Sequence, residues 1–288
     1  MQPQPQRARS VTDEAHVELE RQAVAAIRTG VKVARSDGGL EPRWWVASAL
    51  WRSGAANLAT RAATAYVDAI VALAPTGPPR IPAPAPLTRD EFVVPIASRL
   101  AESEGRSRVA ARAFARRHGI ALSNDRVEAF RRQALAVEAA RVAHDAAVGA
   151  WRDAARARMA QLPDVLGWRR VAEPGACGAC LALMDGSVHP AEEDMVVHTR
   201  DRCIAEPVVL HVNDQDWGRP RGHEIFAAKT PAEQDATFHG RGGAAKAQLI
   251  RDGRIDFADL AQIATERLGQ TNVALAETPL VALQAQAA

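Results

Sequence analysis

Cysteine is scarce here: three residues in a chain of 288, an odd number that argues against a disulfide framework. Lysine is almost missing too, standing only at Lys32, Lys229 and Lys246, so nearly all of the 36 basic residues are arginine. With the abundant alanine this reads first as the mark of a GC-rich genome, and second as arginine chosen for bidentate phosphate contacts. Neither sign of charge dominates: 34 acidic residues leave a net +2, so bulk charge does not mark a nucleic-acid binder. No apolar run approaches the roughly 18 residues of a membrane span. Residues 1–10 are rich in Gln, Pro and Arg and lack the apolar stretch of a signal peptide, so synthesis in a reducing cytoplasm is expected.

What the chain does have is helical periodicity. Residues 1–74 read as an N-terminal helical segment of two helices. The first places Val24, Ile27, Val31 and Ala34 on one face; the second starts near Glu41 and aligns Trp51, Ala55, Leu58, Ala62, Tyr66 and Leu73. The run PTGPPRIPAPAP at 75–86 excludes a regular ladder and reads as a linker. Residues 87–166 form a long-helix region. It opens on a capping box, Thr88 with Glu91, and continues after the Ser123-Asn124-Asp125 cluster in the longest helical pattern of the chain. From 167 to 212 the helical period vanishes while Gly, Pro, Cys and His concentrate. Val208 to Val212 read as a short strand with Trp168 to Val171 as its partner. Helices return over 213–268, with an N-cap at Thr230-Pro231-Ala232-Glu233 and another at Asp256; residues 269–288 are an unpatterned, mobile tail. The expected fold class is mainly α: a helical body with a small β-containing, zinc-knuckle-like module, α+β overall.

All three cysteines fall between 177 and 203. Cys177-Gly178-Ala179-Cys180 is a C-x-x-C pair, followed by His189, His198 and Cys203. Cys177, Cys180, His198 and Cys203 offer three thiolates and an imidazole, a set suited to tetrahedral structural zinc with no open position for catalysis. His189 is an alternative fourth ligand. A redox C-x-x-C and three thiols without metal are the competing readings.

The run GWRRVAEPGACGACLALMDGSVHP, followed by HTRDRCIAEPVV, resembles the signature region of phage Mu F-like minor head (head-morphogenesis) proteins, including those of actinobacterial phages. In that family a strand leads into C-x-x-C, a D-G turn, a His- and Cys-containing stretch and a valine-rich strand. Cys177, Cys180, Asp185-Gly186, His198 and Cys203 match those places. Residues 230–260 also look like the family's helix–turn tail, with its R-D-G turn at Arg251-Asp252-Gly253. Family members commonly close with His-x-x-Cys-x-Cys; this chain has four residues between His198 and Cys203, and Ile204-Ala205 after it. The resemblance implies a structural, non-enzymatic minor capsid protein. It would sit in the virion near the portal vertex on the head interior, partnered by portal and by major capsid or scaffold protein, and face packaged double-stranded DNA.

Arg106, Arg108, Arg112, Arg116 and Arg117 form the densest basic run and are the first candidates for phosphate contacts. A zinc-containing DNA-binding protein or nuclease is the alternative function. His211, Asp214, Asp216, His223 and Glu224 would have to supply its chemistry, at spacings that match no known motif. A zinc-deaminase pattern fails because Pro174 does not adjoin Cys177. Gly240 to Lys246 lacks phosphate-loop spacing, and no serine sits in a nucleophile elbow.

Overall fold

The computed structural model describes residues 4–36, 42–75, 81–117, 124–173, 175–197, 203–215, 217–238 and 242–261. It is mainly helical with one small sheet. Along the chain run α1 (Gln4–Arg35), α2 (Pro42–Arg52), α3 (Ala55–Val71), α4 (Arg89–Arg117) and α5 (Asn124–Met159). They are followed by β1 (Val165–Val171), α6 (Gly178–Ala182), β2 (Ile204–Val209), α7 (Gly222–Ala227), α8 (Pro231–Thr237) and α9 (Gly243–Arg251). Two compact units emerge: Met1–His16 with Thr64–Ala83 and Ala155–Ala288, and Val17–Ala63 with Pro84–Ala154.

Among its described residues the second unit holds helices and no strand. Where two helices were expected before the proline run there are three, because the chain turns at Ser53-Gly54 with φ +73° at the glycine, a conformation only glycine adopts cheaply. The buried face of α1 is only partly the expected one: Ala34 is buried and Ile27 and Val31 are half-buried. Val24 is exposed, whereas Ala23, Ala26, Gly30 and Ala34 are buried. A Cβ on Gly30 would stand 3.1 Å from the Ala139 carbonyl oxygen of α5, so the helices meet through their smallest residues. Close backbone approach, not side-chain hydrophobicity, selects that face. Trp51 packs on Phe92 at 5.8 Å between ring centroids. Arg99 of α4 reaches Asp145 at 2.8 Å and Glu138 at 3.6 Å on α5. The Thr88–Glu91 capping box forms as expected, with Thr88 N donating to Glu91 Oε2 at 2.8 Å.

The first unit holds the sheet. β1 and β2 pair antiparallel, Trp168 opposite Pro207 and Val171 opposite Ile204. The strand pair is the expected one, but β2 begins at Ile204 and the chain turns at Leu210, with His211 at φ 62°. All six residues of β2 are buried, including Glu206, which is 0% exposed. Arg219 Nε donates to Glu206 Oε2 at 2.8 Å and its Nη1 to Asp13 of α1 at 2.9 Å. Asn213 Nδ2 donates to the Pro207 carbonyl, and Asn213 Oδ1 accepts from Val209 N, closing part of the strand's edge. Tyr66 donates to the Ala205 carbonyl at 3.4 Å; burial holds its phenol well above the usual range. The proline strap is pinned as well. Arg158, 3% exposed, binds Asp68 at 2.7 Å and donates to the Ile81 and Pro82 carbonyls.

Burial raises the Glu206 carboxyl above the ordinary glutamate range, against the lowering effects of Arg219, Asn213 and Thr12. A raised carboxyl stabilises the fold with its proton on. Its contribution is therefore complete below the ordinary range and lost as pH rises through the folded value. In urea unfolding between about pH 4 and pH 8, wild type should lose stability relative to Glu206→Gln as pH rises. Parallel curves would show that Glu206 binds its proton equally in the folded and unfolded chain and would contradict the raised carboxyl.

Candidate functional site

The cysteine module is built from the end of β1 outward. Past Val171 the chain turns at Gly175 and enters α6, with Cys177 as its N-cap residue in extended backbone. Cys180 falls in the single turn that follows, so both thiols point to one place. Their Sγ atoms lie 3.8 Å apart. Two thiolates on a tetrahedral zinc, each about 2.3 Å from the ion, stand roughly 3.8 Å from one another. The pair thus has the spacing that such an ion requires.

Cys180 and Cys203 share one buried cluster with Ala179, Leu181, Phe226 and Phe238, and Cys177 packs half-buried against it. The phenyl ring of Phe238 lies over the C-x-x-C turn: a Cβ on Gly178 would fall 2.1 Å from Phe238 Cε1. Phe226 stacks edge-on with Phe238 at 6.0 Å. Helices α8 and α9 complete this small core. The capping box at Thr230 and Glu233 forms, and the R-D-G turn closes α9 with Gly253 at φ 66° and Arg254 N donating to the Leu249 carbonyl. The D-G turn also forms, with Ser187 N donating to Asp185 Oδ1 at 2.8 Å.

Of the four expected ligands, then, two stand side by side and a third belongs to the same cluster. His198 lies outside the described residues. Among the described residues no three His, Cys, Asp or Glu side chains converge as a metal-binding group. His189 is engaged elsewhere: its backbone bridges Trp168, its ring stacks on that indole at 4.3 Å, and Nδ1 contacts Glu193 at 3.0 Å. The loop leading towards His198 is held by Arg156, which pairs with Asp194, and by Arg170, whose guanidinium donates to the Val196 carbonyl.

Arg106, Arg112, Arg116 and Arg117 are exposed on α4; the Arg108 side chain lies outside the described ones. Arg106 contacts Glu102 at 3.6 Å across solvent, a pair of little energetic weight. Among the described residues, those weighed for nuclease chemistry do not assemble into a metal-binding group. His211 occupies the left-handed turn after β2, Glu224 caps α7 through Arg221 N, His223 lines an open groove with Phe226 and Phe257, and Asp216 lies outside the described residues. Of the six tryptophans, Trp151, Trp168 and Trp217 are buried, whereas Trp45 is 49% exposed. Sequence reading missed Glu206, Asn213 and Arg219; the available signal was a carboxylate set inside a valine-rich strand. No family model, curated protein or solved structure matches the chain.

Packing at the C-x-x-C turn sets a test. Gly178→Ala drives a methyl into Phe238 and should destabilise the module by about 1–3 kcal/mol. Gly105→Ala, on α4 with nothing within 4 Å, should stabilise by about 0.5–1 kcal/mol. Chemical denaturation of both variants checks the contrast; equal effects would mean that Phe238 does not sit on the turn.

Proposed function

We propose that this chain is a structural minor capsid protein of a bacteriophage, acting in head assembly at the portal on the head interior. One observation carries the reading. A strand, a C-x-x-C turn, a D-G turn, a third cysteine and a valine-rich strand recur here in the order of the Mu F-like signature, with Cys180 and Cys203 in one small apolar core. Its partners would be portal protein and major capsid or scaffold protein. The exposed arginines of α4 would face packaged duplex DNA.

Zinc fits the module. Cys177 and Cys180 would hold it with Cys203 and His198, since His189 is committed to the sheet. The ion would act as a cross-link, stabilising a segment whose apolar core is too small to order it alone. A closed four-ligand set assigns the module no reaction. The acid-free stretch from Arg106 to Arg117, with Arg106, Arg112, Arg116 and Arg117 exposed, favours one second reading, a zinc-containing DNA-binding or nicking protein. That reading requires turnover of DNA that His223→Ala abolishes while the fold survives.

Two measurements on the full chain test the proposal. Elemental analysis should find about one zinc per chain, lost in Cys203→Ser together with thermal stability. Immunoblots of purified heads should contain the wild-type protein and lack Cys177→Ser. Metal-free wild-type protein would overturn the zinc assignment, and absence of wild type from heads would overturn the capsid assignment.

A further inference from the structure

We infer that Cys177 and Cys180 are an oxidisable pair, which exchanges with a low-molecular-weight disulfide and closes into a disulfide of its own. Only the consequence for the ion rests on the zinc reading. The two sulfurs lie 3.8 Å apart, so an S–S bond of about 2.05 Å draws them together by under ~2 Å. Cys177 can supply that movement. It is the N-cap residue of α6, with φ −72° and ψ 167°, so its backbone is extended and stands outside the regular turns of the helix. The three thiols also differ in exposure: Cys177 is half-buried, Cys180 is 4% exposed and Cys203 is 0% exposed. A Cβ on Gly175, just ahead of Cys177, would meet nothing within 4 Å among the described residues, so the chain leading into the turn is open on that side.

That difference in exposure sets the order of the steps. Cys177 is the thiol a reagent reaches first, and its sulfur attacks one sulfur of the incoming disulfide. The S–S bond of the reagent breaks, and its far sulfur leaves with the electron pair and takes up a proton. Cys180, buried beside the resulting mixed disulfide, then attacks Cys177 Sγ and expels the second thiol of the reagent. Two protein thiols thereby give up two electrons and two protons, and one external disulfide becomes two thiols. Cys203, with no exposed surface, is kept out of the exchange. The product changes what the turn is tied to. An ion held by all three thiols links the turn to Cys203, which immediately precedes β2; a Cys177–Cys180 disulfide is a link within the turn alone. Oxidation therefore takes away two ligands of the ion and dissolves the tie to β2. A reducing cytoplasm favours the ion, and an oxidising medium favours the disulfide.

Treatment of the full chain with glutathione disulfide under native conditions tests the pair, by peptide mass mapping together with a colorimetric chelator that reads released zinc. In the wild type, mapping should find a Cys177–Cys180 disulfide with Cys203 still a thiol, and about one equivalent of zinc should be set free. A phosphine reductant should reverse the oxidation. Cys180→Ser should stop at a glutathione adduct on Cys177, and in urea the wild-type Cys203 should be oxidised as well. Zinc-free wild type that forms the same disulfide leaves the pair standing and overturns the zinc reading. Native wild type, zinc-loaded or not, whose Cys177 and Cys180 remain thiols, or in which Cys203 takes the disulfide or the adduct, overturns the inference.

Discussion

A carboxylate buried in a strand must find its counter-ion inside the fold, and Glu206 finds it in Arg219. Much of the first unit is arranged around that pair. Glu206 is 0% exposed and the Arg219 side chain 7%, at a separation of 2.8 Å. With Glu206 ionised, removing Arg219 leaves a carboxylate buried alone, at a cost of about 3–5 kcal/mol; protonated, Glu206 still accepts the Arg219 hydrogen bond. Arg219 then spends its remaining nitrogens on α1, through Asp13 and the Arg9 carbonyl, while Asn213 ties Glu206 to the backbone of its own strand. A two-stranded sheet is marginal alone. This one persists because its edge is closed by side chains and its buried charge is shared by elements far apart in sequence.

The cysteine module hangs from that sheet. β1 delivers the chain to the C-x-x-C turn, and β2 starts immediately after Cys203, so the strand pairing brings the two ends of the module together. Between them lie about two dozen residues with one five-residue helix, pinned at Val196 by Arg170 from β1 and at Asp194 by Arg156 from α5. Phe226, Phe238 and the α9 residues Ala247 and Leu249 then give the thiols an apolar floor. The sheet's charge network and the thiol cluster thus do complementary work: one fixes where the module begins and ends, the other fills it.

Much of this was legible in the sequence, and the exceptions share a cause. Capping boxes at Thr88 and Thr230 and the glycine turns at Gly186 and Gly253 formed where local chemistry requires them, since each is decided within four residues. The strand pair was also legible, from valine clustering. The face of α1 was legible only in part: Ala34 is buried as expected, but Gly30 takes the close approach to Ala139 while Val24 stays exposed, and backbone proximity is a property of the pair of helices that leaves no mark in one helix's hydrophobicity. The break at Gly54 was hidden by an apolar stripe that continues in register across it. Nothing local marks Arg219, Arg169 and Arg158 in an arginine-rich chain; only the fold reveals that each is spent on carbonyls and carboxylates distant in sequence. For the proposed zinc, the donor set was legible in the sequence, whereas the 3.8 Å between the first two thiols is visible only in the fold.

The central claim is that the three thiols serve one ion. The most direct measurement is the absorption spectrum of the protein reconstituted with cobalt(II). Tetrahedral coordination by three thiolates and an imidazole predicts intense visible bands with strong thiolate-to-metal charge transfer in the near ultraviolet, weakened stepwise in Cys177→Ser and Cys203→Ser. A weak, six-coordinate spectrum, unchanged by either substitution, would contradict the account.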